Sequence, residues 1–455
     1  MEINGGIFRE YDIRGIVGDD LTEEITELVG RAFGTELLDR ERPRVVVGHD
    51  NRPSSPMLGA AMCRGLNAAG VDTVYVGTVP TPALYFAAIE FGTDAGIQIT
   101  GSHNPPEYNG IKMVRDGGAI YGDAIRGLRR RIESEASADR VGGARNAEIL
   151  DRYVEEIASR GRVDTPVRMV LDCGNGAGSV VAVRALREAG IDVDGLFCES
   201  DGTFPNHHPD PTVDENVVDL IARVRETGAA VGVGLDGDAD RIGAVTEEGT
   251  IVRGDHLLLL FALDVLREHP GAEVVFDVKC SQALPQMIEA NGGVPVMWKT
   301  GHSLIKERMK LGGSPIAGEM SGHICFADRF FGTDDAIYAA ARLAGLIAQS
   351  GRRFSELAAE IPSYPSTPEL RLDCTEEAKF GIVDAIVAHY KASHDVIDID
   401  GVRVLFDGGW ALVRASNTQP VIVARIEADD PDRLSEIGDD VRAVLAEHGV
   451  TLPPV

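Results

Sequence analysis

The chain contains no apolar run of about 18 residues, so none of it is suited to cross a bilayer as a helix. It also lacks a basic, then apolar, then small-residue series at its start, so no secretory leader is expected and the cytoplasm is the expected compartment. Cysteine is sparse: Cys63, Cys173, Cys198, Cys280, Cys325 and Cys374 are scattered with no C-x-x-C pair, which argues against a zinc cage or a disulfide framework. Reduced, mostly structural thiols are expected. The main shortage is of positive charge. With 44 Lys and Arg against 72 Asp and Glu, the net charge is −28, and nucleic acid and acidic membrane surfaces, which need a basic footprint, are excluded as partners. An anionic substrate would have to be met by cations gathered locally. Lysine is scarce, so Lys112 and Lys279, with Arg14, Arg241 and Arg414, stand out as candidates to line one cleft. Each taken singly would more often be a solvated surface cation.

What is present is an ordinary globular composition, 44% hydrophobic and 25% charged, in 455 residues, too many for one core. The most informative stretch is TGSHNPPEYNGIK, from Thr100 to Lys112. It follows AGIQI, an apolar run that reads as a buried strand, so the Ser102 hydroxyl should emerge at a strand's end in a loop stiffened by Pro105 and Pro106. Ser102 is the candidate phosphate carrier. A Ser-His pair raises acyl hydrolysis, but no G-x-S-x-G elbow is present and adjacent side chains of an extended segment point apart.

The second stretch is GLDGDADR, in which Asp236, Asp238 and Asp240 alternate directly after the apolar AAVGV. Three close carboxylates repel unless a cation joins them, and oxygen-only ligation favours Mg²⁺. Glu247 falls at the last position of an EF-hand loop, but Arg241 stands where that loop needs glycine and no helix precedes it, so the calcium reading is rejected. A solvated acidic turn is the plainer alternative. The plain reading of Arg241 beside three acids is an ion pair, but a phosphate held by both metal and guanidinium would use the same residues better, since Arg offers a planar fork of donors matched to phosphate oxygens.

Two weaker loops complete the set. GEMSGH places Glu319, Ser321 and His323 between glycines, groups suited to sugar hydroxyls, though such loops are more often turns. RASNTQP supplies Arg414, Ser416, Asn417 and Thr418 between two strands, equally an anion nest or a polar hairpin loop. CGNGAG after a strand departs from G-x-G-x-x-G and is read as a tight strand-to-helix turn, which removes a dinucleotide enzyme.

The four loops, in this order, resemble those of the α-D-phosphohexomutase family, in its phosphomannomutase/phosphoglucomutase branch, over the whole chain. The opening FREYDIRG, with Tyr11 and Arg14, is similar to the family's first segment, and Lys279 and His302 fall in further family positions. Gly101 stands where many members have alanine, and Ala239 where many have glycine. The resemblance implies four domains around a central cleft and a phosphohexomutase that interconverts hexose 1-phosphate and hexose 6-phosphate, mannose or glucose. Ser102 would carry the phosphoryl group, Asp236, Asp238, Asp240 and the phosphoserine would hold Mg²⁺, and glucose 1,6-bisphosphate or mannose 1,6-bisphosphate would be activator. Arg14, Lys112 and Arg241 would neutralise the travelling phosphate. His323, His302 and Lys112 are the candidates for proton transfer. Tyr11, His103, Arg241, Lys279, His302, Glu319, Ser321, His323, Arg414, Ser416, Asn417 and Thr418 would bind the sugar phosphate. Phosphoglucosamine mutase is the nearest alternative, with Met320 favouring the first branch. A non-catalytic sugar-phosphate binder is a more remote one, disfavoured because no motif residue is missing. Small sugar phosphates are the expected partners, and a monomer and a homodimer fit equally.

Periodicity adds the architecture. Strands at 44–48, 73–76 and 95–99 alternate with helices at 57–69 and 83–91, and two further blocks repeat the pattern at 167–234 and 257–348. Three α/β domains of βαβ type with mixed sheets are therefore expected, at 1–147, 148–250 and 251–362, followed by a smaller α+β domain at 363–455. Residues 133–148 and 361–368 read as connections. A site that must accept one sugar in two orientations calls for a wide cleft, so the C-terminal domain is expected to close by a hinge near 361–368.

Overall fold

The computed structural model describes residues 3–133, 141–417 and 419–455. Four sheets follow one another along the chain. The first has seven strands, with Ala95–Ile99, Arg44–His49, Asp72–Thr78 and Ala144–Asn146 running parallel, Tyr108–Arg115 and Ile13–Ile16 added antiparallel at one side, and the short Gly118–Ala119 paired with Tyr108–Arg115. The second places Asp192–Leu196, Arg168–Asp172 and Val231–Leu235 in parallel, then Ile242–Thr246 and Ile251–Val252 antiparallel. In the third, Val294–Trp298, Glu273–Asp277 and Ile316–Gly318 are parallel and Ile324–Phe326 is antiparallel. The central parallel strands, Arg44–His49, Ala95–Ile99, Arg168–Asp172, Val231–Leu235 and Glu273–Asp277, are apolar runs buried almost throughout, as parallel sheets between helices require.

The fourth sheet is wholly antiparallel: Leu370–Asp373, Val421–Ala428, Gly409–Ala415, Val402–Phe406 and Asp395–Ile397. The helices Lys379–Lys391 and Pro431–Glu447 pack on it and share its core, giving the α+β domain. The expected helices are present as Ser55–Ala68, Thr81–Glu90, Ala182–Glu188, Gly254–Glu268 and Ala336–Ser350. One expectation is corrected. The segment read as a connection at 133–148 contributes Ala144–Asn146 to the first sheet's edge, and its residues 134–140 lie outside those described.

One apolar core is shared by the first three domains, from Val46 and Leu84 through Leu171 and Val233 to Phe276 and Ile337, and a second fills the other face of the first sheet around Phe33, Val45 and Ile97. The fourth domain has its own core and meets the third through a small cluster of Val278, Trp410 and Leu412. Polar ties surround that cluster. The buried Arg403 lies over Trp410 and donates to the carbonyls of Val278 and Cys280 at 2.8 and 2.7 Å, and Gln282 N donates to Glu427 at 2.8 Å.

The first three sheets put their motif loops at one equivalent corner. In each, the loop joins a parallel strand to the antiparallel strand beside it: 100–107 in the first, 236–241 in the second, 319–323 in the third. The fourth domain presents 416–420 between its two longest strands.

Candidate active site

The four loops border one cleft of about 1040 Å³. Tyr11, Arg14, Ser102, His103, Lys112, Arg241, Lys279, His302, Glu319, Ser321, His323, Arg414, Ser416 and Asn417 all line it, while Thr418 lies outside the described residues. Asp236, Asp238 and Asp240 sit directly behind, fully buried.

Ser102 leaves the strand Ala95–Ile99 with φ 51°, the left-handed region that costs a non-glycine residue on the order of 1–2 kcal/mol. Its hydroxyl donates to Asp236 Oδ2 at 3.1 Å and lies 3.1 Å from His103 Nδ1. The expectation that adjacent Ser and His side chains point apart is therefore wrong here, because the left-handed turn replaces extended backbone. It does not restore a hydrolase. His103 is partly buried near Arg241, Arg14 and Lys112, and desolvation followed by those charges drives its pKa well below the ordinary value, making it a poor general base.

The loop is held by a residue that sequence reasoning missed. Arg52, fully buried, donates to the carbonyls of Ser102, Asn104, Pro105 and Tyr108 at 2.6–3.0 Å, and Asp50 Oδ2 accepts from both Arg52 Nε and Gly101 N at 3.1 Å. A Cβ at Gly101 would stand 2.5 Å from Arg52 Cζ, so glycine is what lets the guanidinium reach the loop. The only sequence sign was DNR following a buried strand.

In the second loop, Asp236 Oδ1 accepts from the backbone N–H of Asp240 and Arg241, both at 3.1 Å. This turn has Ala239 at φ 62° and brings one oxygen of each aspartate within 4.8 Å of the others. Lys112, in the middle of the strand Tyr108–Arg115 and not on a loop, reaches Asp238 at 2.7 Å and Asp240 at 2.5 Å. Burial disfavours its charge, but the three carboxylates more than compensate and raise its pKa. Burial likewise works to raise Asp238, and Lys112 overrides it, holding that carboxyl below its usual range. Asp236, which lacks this contact, is pushed up by burial and by its two acidic neighbours.

A cation fits this triad. One lysine cannot balance three buried carboxylates, and Asp238 Oδ1 and Asp240 Oδ1 have no hydrogen-bond partner. The rejection of the EF-hand reading agrees with the position of Glu247, whose carboxylate accepts from Ser355 N and Oγ away from the triad.

The second and third loops meet directly. Arg241 and His323 form a backbone bridge, and Arg241 Nε donates to His323 Nε2 at 3.0 Å. His323 and His302 stack at 5.0 Å and share Asp334 at 3.1 and 3.2 Å, with Lys306 on its other oxygen at 2.7 Å. Burial, then Lys306, lowers the His302 pKa to about 4, so this imidazole is neutral. Glu319 accepts from Gly301 N at 2.7 Å, and burial raises its carboxyl. Lys279 pairs with Glu369 of the fourth domain at 3.1 Å. In that domain Arg414 donates to Asp400 at 2.9 Å, and Asn417 donates to the Tyr11 hydroxyl at 2.6 Å, which itself donates to Thr300 O. Asp334, Lys306, Asp400 and Glu369 were not singled out from sequence, since isolated charged residues on helices and in loops carry no local motif.

A serine facing a metal-type carboxylate triad, ringed by buried cations where four domains meet, defines a phosphoryl-transfer enzyme. Comparison with known proteins agrees. Phosphoglucomutase/phosphomannomutase alpha/beta/alpha domains I, II and III match residues 5–139, 151–249 and 253–364, and the C-terminal domain matches 369–444. A phosphomannomutase/phosphoglucomutase of Pseudomonas putida is 48% identical over 96% of this chain and 95% of its own. A phosphoglucomutase of Neisseria meningitidis is 43% identical over 97% of each. The crystal structure of a phosphoglucomutase/phosphomannomutase family protein from Burkholderia thailandensis superposes with a TM-score of 0.93 at 44% identity, covering 99% of this chain and 100% of that one. The chain belongs to the phosphoglucomutase/phosphomannomutase family. It is a phosphohexomutase, interconverting hexose 1-phosphate and hexose 6-phosphate, and among the described residues no helix is long and apolar enough to cross a membrane.

Proposed function

We propose that the chain acts in the cytoplasm on both mannose and glucose phosphates through Ser102. The observation that carries this reading is the position of the Ser102 hydroxyl, 3.1 Å from Asp236 and at the floor of a cleft lined by Arg14, Lys112, Arg241, Lys279 and Arg414. Asp236, Asp238, Asp240 and the phosphoserine oxygens would hold Mg²⁺, which when bound supplies charge neutralisation for the transferring phosphoryl group.

Arg414, Ser416 and Asn417 anchor the phosphate of a hexose 1-phosphate, and Glu319 and Ser321 take ring hydroxyls. The 6-hydroxyl attacks the phosphoserine. The new O6–P bond forms as the Ser102 Oγ–P bond breaks, and the hydroxyl proton leaves. His323 is the candidate for that proton, since Lys112 holds its own against two carboxylates and His302 is too weak a base. The hexose 1,6-bisphosphate then turns over and returns its 1-phosphoryl group to Ser102, releasing hexose 6-phosphate. Glucose 1,6-bisphosphate or mannose 1,6-bisphosphate would restore enzyme that has lost its phosphoryl group. The named relatives support this branch over the amino-sugar one.

The test is kcat/KM for glucose 1-phosphate, mannose 1-phosphate and glucosamine 1-phosphate, with Mg²⁺, catalytic glucose 1,6-bisphosphate and Ser102→Ala as control. Comparable turnover of the first two, abolished in the variant, is expected. Preference for the amino sugar overturns the specificity, and turnover by Ser102→Ala overturns the mechanism.

A further inference from the structure

The tight turn CGNGAG has no part in the mechanism above, yet it carries a chemical feature. Cys173 follows the strand Arg168–Asp172, and Cys198 lies just beyond its parallel neighbour Asp192–Leu196, in register with it through Asp172 and Leu196. Both thiols are free, and their sulfurs are 3.0 Å apart. Cys173 is buried and Cys198 partly exposed, so one of the two meets solvent. A disulfide needs about 2.05 Å between sulfurs, within reach of a shift of roughly 1 Å.

The turn also presses on the catalytic loops. Its Ala177 N–H donates to the carbonyl of Gly237, between Asp236 and Asp238, at 2.8 Å. A Cβ at Gly176 would lie 2.7 Å from that same oxygen, so the contact has no slack. On the other side Asn51, the neighbour of Arg52, donates to Asn175 O at 2.6 Å.

We propose that Cys173 and Cys198 are a reversible oxidation site, closing to a disulfide that slows the mutase by shifting the turn behind the metal loop. With hydrogen peroxide as oxidant, the Cys198 thiolate attacks one peroxide oxygen. The S–O bond forms, the O–O bond breaks and hydroxide leaves, giving a sulfenic acid. The Cys173 sulfur then attacks the Cys198 sulfur, losing its proton as the S–S bond forms and water departs. Two thiols lose two electrons, peroxide becomes two waters, and a dithiol reductant reverses the change. The contact with the Cys173 sulfur lowers the Cys198 pKa and favours it as the attacking thiol.

The test treats the full-length enzyme with peroxide, then alkylates and digests it without reductant. Expected are a peptide pair joining Cys173 to Cys198 and an intact mass lower by about two units. With them, kcat/KM should fall about tenfold, in line with small misplacements of catalytic loops, and recover with dithiothreitol. A Cys198→Ala variant should keep its activity through the treatment. The proposal is overturned if the pair stays unlinked while the partly exposed Cys63 and Cys374 are oxidised, if linked enzyme turns over as fast as reduced enzyme, or if Cys198→Ala is inactivated equally. The peptide map does not depend on the substrate assignment.

Discussion

At the scale of single residues, the site is a set of buried charges that tolerate one another only through close pairing. Lys112 is the clearest case, bonded to two of three buried aspartates. Lys112→Met should leave those carboxylates without a counter-charge and cost roughly 3–5 kcal/mol. Thermal melts should show part of that loss returned by millimolar Mg²⁺, and a variant whose Tm ignores Mg²⁺ would contradict the metal assignment. Gly101 gives a second prediction. The methyl of Gly101→Ala would collide with Arg52, which has four carbonyl acceptors and no room to retreat. We expect a loss of about 2 kcal/mol by chemical denaturation and a larger loss in kcat than in KM, because the loop that carries Ser102 is displaced.

At the scale of elements, the helix His302–Gly312 begins with the imidazole whose pKa lies near 4, against 6.5 ordinarily. The helix N-terminus, like burial and Lys306, disfavours its positive charge. Between those two values the unfolded chain binds more protons than the native one, so the stabilisation is complete above pH 6.5 and is lost as pH falls towards 4. It is worth about 3 kcal/mol across that window. Denaturant titrations of His302→Gln should show a flatter pH profile there, and an unchanged slope would refute the buried neutral histidine.

Strands and helices were legible in the sequence because buried parallel strands are apolar runs, and their ends coincide with the polar motif loops. The short Ala144–Asn146 was not, since an exposed three-residue edge strand has no pattern. The Ser102–His103 contact was hidden too, because a left-handed serine cannot be read from a polar loop. Arg52 and Asp334 act across 50 and 11 or more residues of chain, a relation that only the folded topology discloses.

At the scale of the molecule, the first three domains are welded by one core, whereas the fourth is held by a small apolar cluster and buried polar ties. Interfaces of that kind permit domain motion. Residues 365–367 hydrogen-bond to the strand Val421–Ala428, while Ile361 and Tyr364 pack with the large core, which narrows the proposed pivot to about 364–365. Arg403→Met should strand two interdomain carbonyls and favour an open form. Small-angle scattering should give it a larger radius of gyration than the parent, and saturating sugar phosphate should reduce the difference; equal radii would mean that Arg403 does not control closure. One property of the architecture reaches beyond the reaction. The corner that carries Ser102 in the first domain is the corner that gathers carboxylates in the second and places Glu319, Ser321 and His323 on the cleft in the third. Such repetition is what successive duplication of one ancestral unit would leave, with each copy's loop free to diverge while its strands stayed constrained. New specificity in this scaffold should therefore arise by rewriting a single corner, leaving the other two and the shared core untouched.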